Sequence, residues 1–293
     1  MTGGGPSGLV VVDKAAGWTS HDVVAKLRGV LGTRKVGHAG TLDPDATGVL
    51  LVGVGQVTRL LRFLSATGKE YEAEIALGVE TSTLDAAGEV TATHHMSAVT
   101  PEQVRAAAAG FVGDIEQIPP MVSAVKVGGR RLHELAREGK EVERAPRPVR
   151  IDRFDLSATD DPLVWRAVVA CSSGTYIRTL AADVGAALGG GAHLRSLRRT
   201  RVGSFGLGEA VAIEGVSLER LLPPAEAVRD LATVTVDGDL AVDVGHGKVL
   251  PAGALAEVGE GPWRVLGATG ELLAVYECHR EGTRKPAVVL ARP

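Results

Sequence analysis

The chain has 293 residues and a formal net charge of −3, with 45% hydrophobic and 23% charged residues. That apolar share is enough for a sizeable core and excludes a disordered chain, and the near-neutral balance excludes a simple polybasic binder of nucleic acid. The longest apolar run, Val49 to Val54, is far short of the ~18 residues of a membrane span, and Cys171 and Cys278, 107 residues apart with no CxxC pair, fit a reduced cytoplasm rather than a disulfide framework or a zinc site.

Residues 1–8 carry no basic stretch ahead of an apolar one, so they read as a flexible tail rather than a secretory signal. Gly8–Lys14 reads as a strand, because Leu9, Val10, Val11 and Val12 are apolar and β-prone. Ser20 reads as an N-cap, followed by Val23, Val24, Leu27, Val30 and Leu31 at helical spacing and by Gly32 as a stop. Gly37–Asp45 reads as a loop and Gly48–Val54 as a buried strand. Lys69–Gly78 alternates, with Tyr71, Ala73, Ile75 and Leu77 on one face and Glu70, Glu72 and Glu74 on the other. Thr100-Pro101-Glu102-Gln103 is a capping box with proline at the first helical position. Strands are expected at Ser123–Val127, Val149–Ser157 and Leu163–Ser172, a helix from Ile177 to Leu188, an extended stretch at His193–Val202 and short helical pieces near Ser217–Arg229.

Beyond about Leu231, short β-prone runs separated by glycine-rich turns (Thr233–Val236, Leu255–Val258, Trp263–Leu266, Leu272–Glu277, Ala287–Leu290) suggest a compact β-barrel or sandwich. Strands and helices mix without a βαβ rhythm. The expected class is therefore α+β, a mixed, mostly antiparallel sheet flanked by helices, with a small β-rich C-terminal domain.

Three basic segments stand out. Val23–Leu42 has four basic residues and no acid, Lys126–Arg153 has nine basic and five acidic, and His193–Val202 has Arg195, Arg198, Arg199 and Arg201 and no acid. In a neutral chain this suggests one concentrated basic face, and arginine forks match phosphates.

The densest segment chemically is Gly37–Gly48, which presents His38, Asp43 and Asp45 among glycines just before the buried strand. It reads as a turn whose aspartates cap backbone, as a phosphate cradle that lacks GK[ST], or as a catalytic loop using His38 with Asp43 or Asp45. In Cys171–Thr179 a strand ends, the chain turns at Gly174 and a helix begins, with Tyr176 and Arg178 in its first turn. The helix dipole disfavours a cation there, so Arg178 calls for an anionic partner; the plainer reading is a packed tyrosine and a surface arginine.

Taken together, these residues resemble the TruB family, the bacterial tRNA pseudouridine-55 synthases. The resemblance is carried, in one order, by Asp13-Lys14, Gly17-Trp18-Thr19-Ser20, Lys35–Pro44, Lys69-Glu70-Tyr71, Thr81–Asp85, Pro119–Ala124, Gly174–Arg178 and Gly191–Arg199. It departs in Ala15, where the family usually has proline, and in His133, where it often has an aromatic.

The resemblance implies isomerisation of a uridine in the tRNA T-loop to pseudouridine, after the nucleotide flips out of its stack. It gives Asp43 as the reactive carboxylate, Arg178 as its partner and Tyr71 as the ring stacked on uracil and the nearest acceptor for the C5 proton. Tyr176 and Leu197 would line the pocket, His38 would fill the gap left by the flipped base, and Lys14, Arg198 and Arg199 would contact RNA. Nothing is oxidised and no group leaves, so no cofactor or metal is expected.

The implied layout is a tail over 1–8, a catalytic domain over 9–230 with an RNA-clasping insertion at 126–153, and a PUA-like RNA-binding domain over 231–293. The expected partner is tRNA, for a cytoplasmic monomer with no membrane and no obligate protein partner. Two rivals are a tRNA-binding or folding protein without chemistry and a synthase acting on another RNA.

Overall fold

A computed structural model describes residues 5–123, 125–256, 259–280 and 282–290. The elements in chain order are β1 (Gly8–Lys14), α1 (Ser20–Val30), β2 (Val36–Ala39), β3 (Thr47–Val54), α2 (Leu61–Ser65), β4 (Lys69–Leu77), β5 (Val79–Thr81), β6 (Val90–Thr93), α3 (Pro101–Ala109) and β7 (Gly113–Gln117). They continue with β8 (Lys126–Val127), β9 (Arg130–Arg131), α4 (Leu132–Arg137), β10 (Arg147–Ala158), β11 (Val164–Cys171), α5 (Ile177–Ala187) and β12 (Ala192–Val202). The last are β13 (Phe205–Gly206), β14 (Val211–Ala212), β15 (Ala232–Thr235), α6 (Gly238–Gly245), β16 (Leu250–Pro251), β17 (Trp263–Leu266), β18 (Leu272–Cys278) and β19 (Thr283–Val289). The class is α+β, as the mixture of patterns predicts.

The chain divides into two compact units: Met1–Pro44, Gly48–Ala66 and Val202–Pro293 in one, Asp45–Thr47 and Thr67–Arg201 in the other. In the first unit β1 lies between β14, to which it is parallel, and β3, to which it is antiparallel. β2 pairs antiparallel with β3, placing His38 opposite Val52. The near-continuous apolar run of β3 is explained by its burial from Gly48 to Val54. The residues beyond 231 form a separate sheet in the order β15, β17, β18, β19, β16, around fully buried Trp263 and Tyr276. That sheet also shares an apolar cluster with the N-terminal elements, in which Leu9, Leu51, Leu60 and Leu64 meet Leu272, Val275, Val288 and Leu290.

In the second unit the sheet order is β12, β4, β11, β10, β7. β4 alternates as its sequence predicts. Tyr71, Ala73, Ile75 and Leu77 join Ile177, Leu180, Ala181 and Val184 of α5 and Val104 and Ala108 of α3 in one core. On the opposite face Glu70 and Glu74 pair with Arg201 and Arg195 at 3.5 and 3.8 Å.

Several expectations need correcting. The N-cap of α1 is Thr19, whose side chain and that of Asp22 form the reciprocal capping pair; Ser20 is instead buried as the first helical residue. The loop expected from Gly37 begins later, because residues 36–39 pair with β3. Among the described residues, extended structure at Ser123–Val127 is confined to β8, and residue 124 lies outside them. The tail is shorter than expected, since Gly8 opens β1 and the Ser7 hydroxyl accepts from Gln56 N at 3.0 Å; residues 1–4 lie outside the described residues. The run expected at Leu255–Val258 is a turn at Leu255, and residues 257–258 lie outside the described residues. Helix α6 was not anticipated, because its Val242 and Val244 are β-branched and it is bounded by glycine at both ends.

Candidate active site

The loop after β2 is fastened at three places. Buried Ser20 accepts from Leu42 N at 2.9 Å and donates to Leu42 O at 3.2 Å. Gly17 N donates to Pro44 O at 3.0 Å. The fully buried Lys14 ammonium donates to Ala15 O, Trp18 O and Pro44 O at 3.0, 2.7 and 2.9 Å. Leu42 and Pro44 flank Asp43, so both neighbours of that half-buried carboxylate are pinned. Gly40, at φ 79°, makes the turn that a side chain would strain. His38 sits half-buried in β2, its ring edge-on to that of His21 with centroids 5.3 Å apart.

Lys14 is therefore not an RNA contact, which corrects the expectation. A cation that is fully buried and bonded to three carbonyls is a strut inside the loop. Lys14→Met should strand those carbonyls at ~1–3 kcal/mol each where no water replaces the ammonium. The thermal midpoint and the turnover should both fall, while the salt dependence of tRNA affinity stays as in the parent. Thermal melts with binding titrations at several salt concentrations check this; a stable variant with a flatter salt slope would restore the RNA-contact reading.

In the second unit Gly174, at φ 88°, turns the chain from β11 into α5. Tyr176 is the N-cap residue of α5, and its backbone is clamped by the buried Gln117 side chain. The amide oxygen accepts from Tyr176 N at 2.9 Å and the amide nitrogen donates to Tyr176 O at 3.3 Å. Arg178, buried in the first turn, does have an anionic partner. Its Nη1 donates to Asp85 Oδ2 and to Thr83 O, both at 3.2 Å, and its Nη2 donates to Val122 O at 2.7 Å. Asp85 Oδ1 accepts in turn from the Thr83 hydroxyl at 2.5 Å and from Ala87 N at 3.1 Å. Leu84 takes φ 63°, a conformation costly for a leucine and typical of sites held for a purpose.

Sequence reasoning missed Asp85 and Gln117 as supports. The signal for Asp85 was present, since Thr81–Asp85 is one of the segments carrying the resemblance, but its partner lies 93 residues away.

Tyr71 is 7% exposed and belongs to the same apolar cluster as Ile177, with Leu197 packed against it. Leu197 and Arg198 also line an open groove of about 620 Å³ with Asp45, Thr47, Glu72 and Arg166, and Arg198 Nη1 donates to the Thr47 hydroxyl at 3.2 Å. Arg199 behaves differently. It is 1% exposed and its side chain hydrogen-bonds Tyr71. The expectation that Arg198 and Arg199 both meet phosphate is corrected for Arg199, because adjacent residues of a strand face opposite ways and Arg199 faces the core. Burial, and then the charge of Arg199, hold the Lys69 ammonium down at about 8; Lys69 donates to Thr67 O at 2.8 Å.

Arg178→Lys should lower the single-turnover rate on T-loop RNA about 10²-fold, ~2.7 kcal/mol of barrier. One ammonium cannot span acceptors that two guanidinium nitrogens now reach separately. A rate within about threefold of the parent would remove Arg178 from the machinery.

The profile of the TruB family pseudouridylate synthase N-terminal domain matches residues 28–177, and that of the tRNA pseudouridylate synthase B C-terminal domain matches residues 178–228. The chain is 50% identical to the tRNA pseudouridine synthase B of Mycobacterium sp. strain KMS, with 100% of this chain and 99% of the relative covered. It is 45% identical to the same enzyme of Arthrobacter sp. strain FB24, with 97% of each covered. Among solved structures, a chain of a Cbf5-Nop10-Gar1 complex superposes with a TM-score of 0.75 at 27% identity, covering 97% of this chain and 84% of that one. A chain of an H/ACA RNP bound to a substrate RNA containing 2'-deoxyuridine shares the fold at a TM-score of 0.72 and 24% identity, covering 98% and 85%. Two profiles in tandem and half-identity along the whole length place the chain in the TruB family of pseudouridylate synthases.

Proposed function

We propose that this protein converts one uridine of the tRNA T-loop, position 55, to pseudouridine. The observation that carries the residue assignment is the fastening of the Asp43 loop, in which a fully buried ammonium holds Pro44 O on one side of Asp43 and a buried serine holds Leu42 on the other. A turn whose aspartates merely cap backbone needs no such strut.

The target base is stacked within folded RNA, so it leaves the stack to reach a carboxylate. His38 fills the space it vacates. Asp43, ionised, acts on the flipped nucleotide as the C1′–N1 bond breaks. Arg178 orients Asp43 and is itself aimed by Asp85. Tyr71 stacks on the uracil while it turns, Tyr176 and Leu197 confine it, and the C1′–C5 bond forms. The C5 proton leaves last, to Tyr71. Atoms are conserved throughout, so the residues of the chain suffice.

Arg198 and the basic segment over residues 126–153 supply phosphate contacts, and the C-terminal sheet is a PUA-like RNA-binding module. The chain acts alone, as a cytoplasmic monomer. The test is purified protein on T-loop stem-loop RNA carrying [5-³H]uridine. Release of one tritium per RNA, and none when the target is cytidine, is expected. Binding without release would make this a tRNA-binding protein, and release from ribosomal RNA alone would move the substrate.

A further inference from the structure

Arg199 is the most deeply buried charged side chain among the described residues of the second unit, at 1% exposure, and the reaction scheme above does not use it. A buried guanidinium is costly unless something repays it. Its hydrogen-bonding partner is the phenol of Tyr71, one strand away on β4. A guanidinium donates and never accepts, so the Tyr71 oxygen is the acceptor in this bond. A lone pair of that oxygen is thereby engaged from the Arg199 side, on β12.

We infer that Arg199 is a positioning residue for Tyr71, setting the phenol oxygen as the acceptor of the uracil C5 proton. This rests on the pseudouridine reading above and adds to it the group that readies the proton acceptor. In the step concerned, the C5–H bond breaks, its electron pair restores the C5–C6 double bond of the uracil, and the C6–N1 π pair withdraws to N1, which takes up a proton from water. The proton passes to the Tyr71 phenolate oxygen, which becomes a phenol and returns the proton to water.

A neutral phenol is a poor acceptor, and a hydrogen bond from a fixed cation favours its ionised form. The attraction is reciprocal. Burial pushes the Arg199 guanidinium down from its ordinary value, while the charge of Tyr71 and the hydrogen bond to it push it back up. Two other ionisable groups lie close on the neighbouring strands: Lys69, two residues before Tyr71 on β4, and Cys171, which pairs with Lys69 across β11. Burial raises the Cys171 thiol to about 11, so it stays neutral at working pH. The charge beside Tyr71 is therefore cationic on two strands, an environment suited to a phenolate.

The experiment compares Arg199→Met, Arg199→Lys and the parent in three measurements: single-turnover rate against pH, tRNA affinity against salt, and ultraviolet titration of tyrosine in the protein without RNA. The last is assigned by difference from Tyr71→Phe, since the chain has 3 tyrosines. For Arg199→Met the expected rate loss is about 10²-fold at neutral pH, narrowing as pH rises because the phenolate forms later. Arg199→Lys should recover part of it. Affinity and its salt slope should match the parent, and the Tyr71 titration should move to higher pH. Loss of affinity with a flatter salt slope would return Arg199 to phosphate binding and overturn the inference. So would a rate loss equal at every pH, or an unmoved Tyr71 titration. If Arg199→Met does not fold, Arg199→Lys decides by the same titration, and its coincidence with the parent overturns the inference. A parent that releases no tritium while its Tyr71 titration still depends on Arg199 would sink the pseudouridine reading and leave the pairing intact.

Discussion

Asp43→Asn should abolish turnover, with single-turnover pseudouridine formation falling by at least about 10⁴-fold, ~5.4 kcal/mol of barrier. The amide keeps the size and many of the contacts of the carboxylate but loses the charge and the electron pair that the isomerisation needs. The loop itself should survive, because its ties run through Ser20, Gly17 and Lys14 to the residues on either side of Asp43. Affinity for tRNA should stay within about threefold of the parent, since phosphate contacts spread over a wide surface supply most of it. Asp45→Asn is the matched control. Asp45 is exposed, and its variant should be mild. Measurable product from pure Asp43→Asn protein would remove the catalytic assignment, and loss of binding alongside activity would make Asp43 a structural residue.

The second large effect separates two jobs for Tyr71. If the ring alone matters, Tyr71→Phe keeps most activity and Tyr71→Ala loses stacking worth ~1–3 kcal/mol. If the hydroxyl takes the C5 proton, phenylalanine is nearly as damaging as alanine, because general-base catalysis contributes about 10²–10⁴-fold. The second outcome is expected. The hydrogen bond from buried Arg199 gives a reason to have a hydroxyl there that packing alone does not. Tritium release from [5-³H]uridine RNA in a single turnover, with binding measured in parallel, reads the difference. Near-parental release by Tyr71→Phe would make the hydroxyl a bystander.

What the sequence discloses depends on how far each residue's partner lies along the chain. β1, β4, the α3 capping box and α5 are local patterns of period two or 3.6, and their residues suffice to place them. Lys14 shows the limit. Read alone, a lysine at a strand end suggests solvent and phosphate, and one of the carbonyls that bury it comes from Pro44, 30 residues on. Gln117 and Asp85 are polar residues of no special promise until the chain brings Tyr176 and Arg178 to them from 59 and 93 residues away. Arg199 was a different kind of miss. The parity of a strand already says that Arg198 and Arg199 cannot share a surface, and the pull of an arginine cluster toward RNA obscured it.

The apolar cluster joining Leu9, Leu51, Leu60 and Leu64 to Leu272, Val275, Val288 and Leu290 has a consequence for biosynthesis. As the polypeptide leaves the ribosome, the segment bearing Tyr71, Arg178 and Arg199 emerges with its apolar core contained between Thr67 and Arg201, and that core can condense early. The earlier segment bearing Asp43 cannot. β1 waits for β14 at residue 211, and the leucines of β3 and α2 wait for strands ending at Val289. The segment that is translated first is thus completed last, and a ribosome that stalls before the final strands leaves Asp43 on an unfinished scaffold.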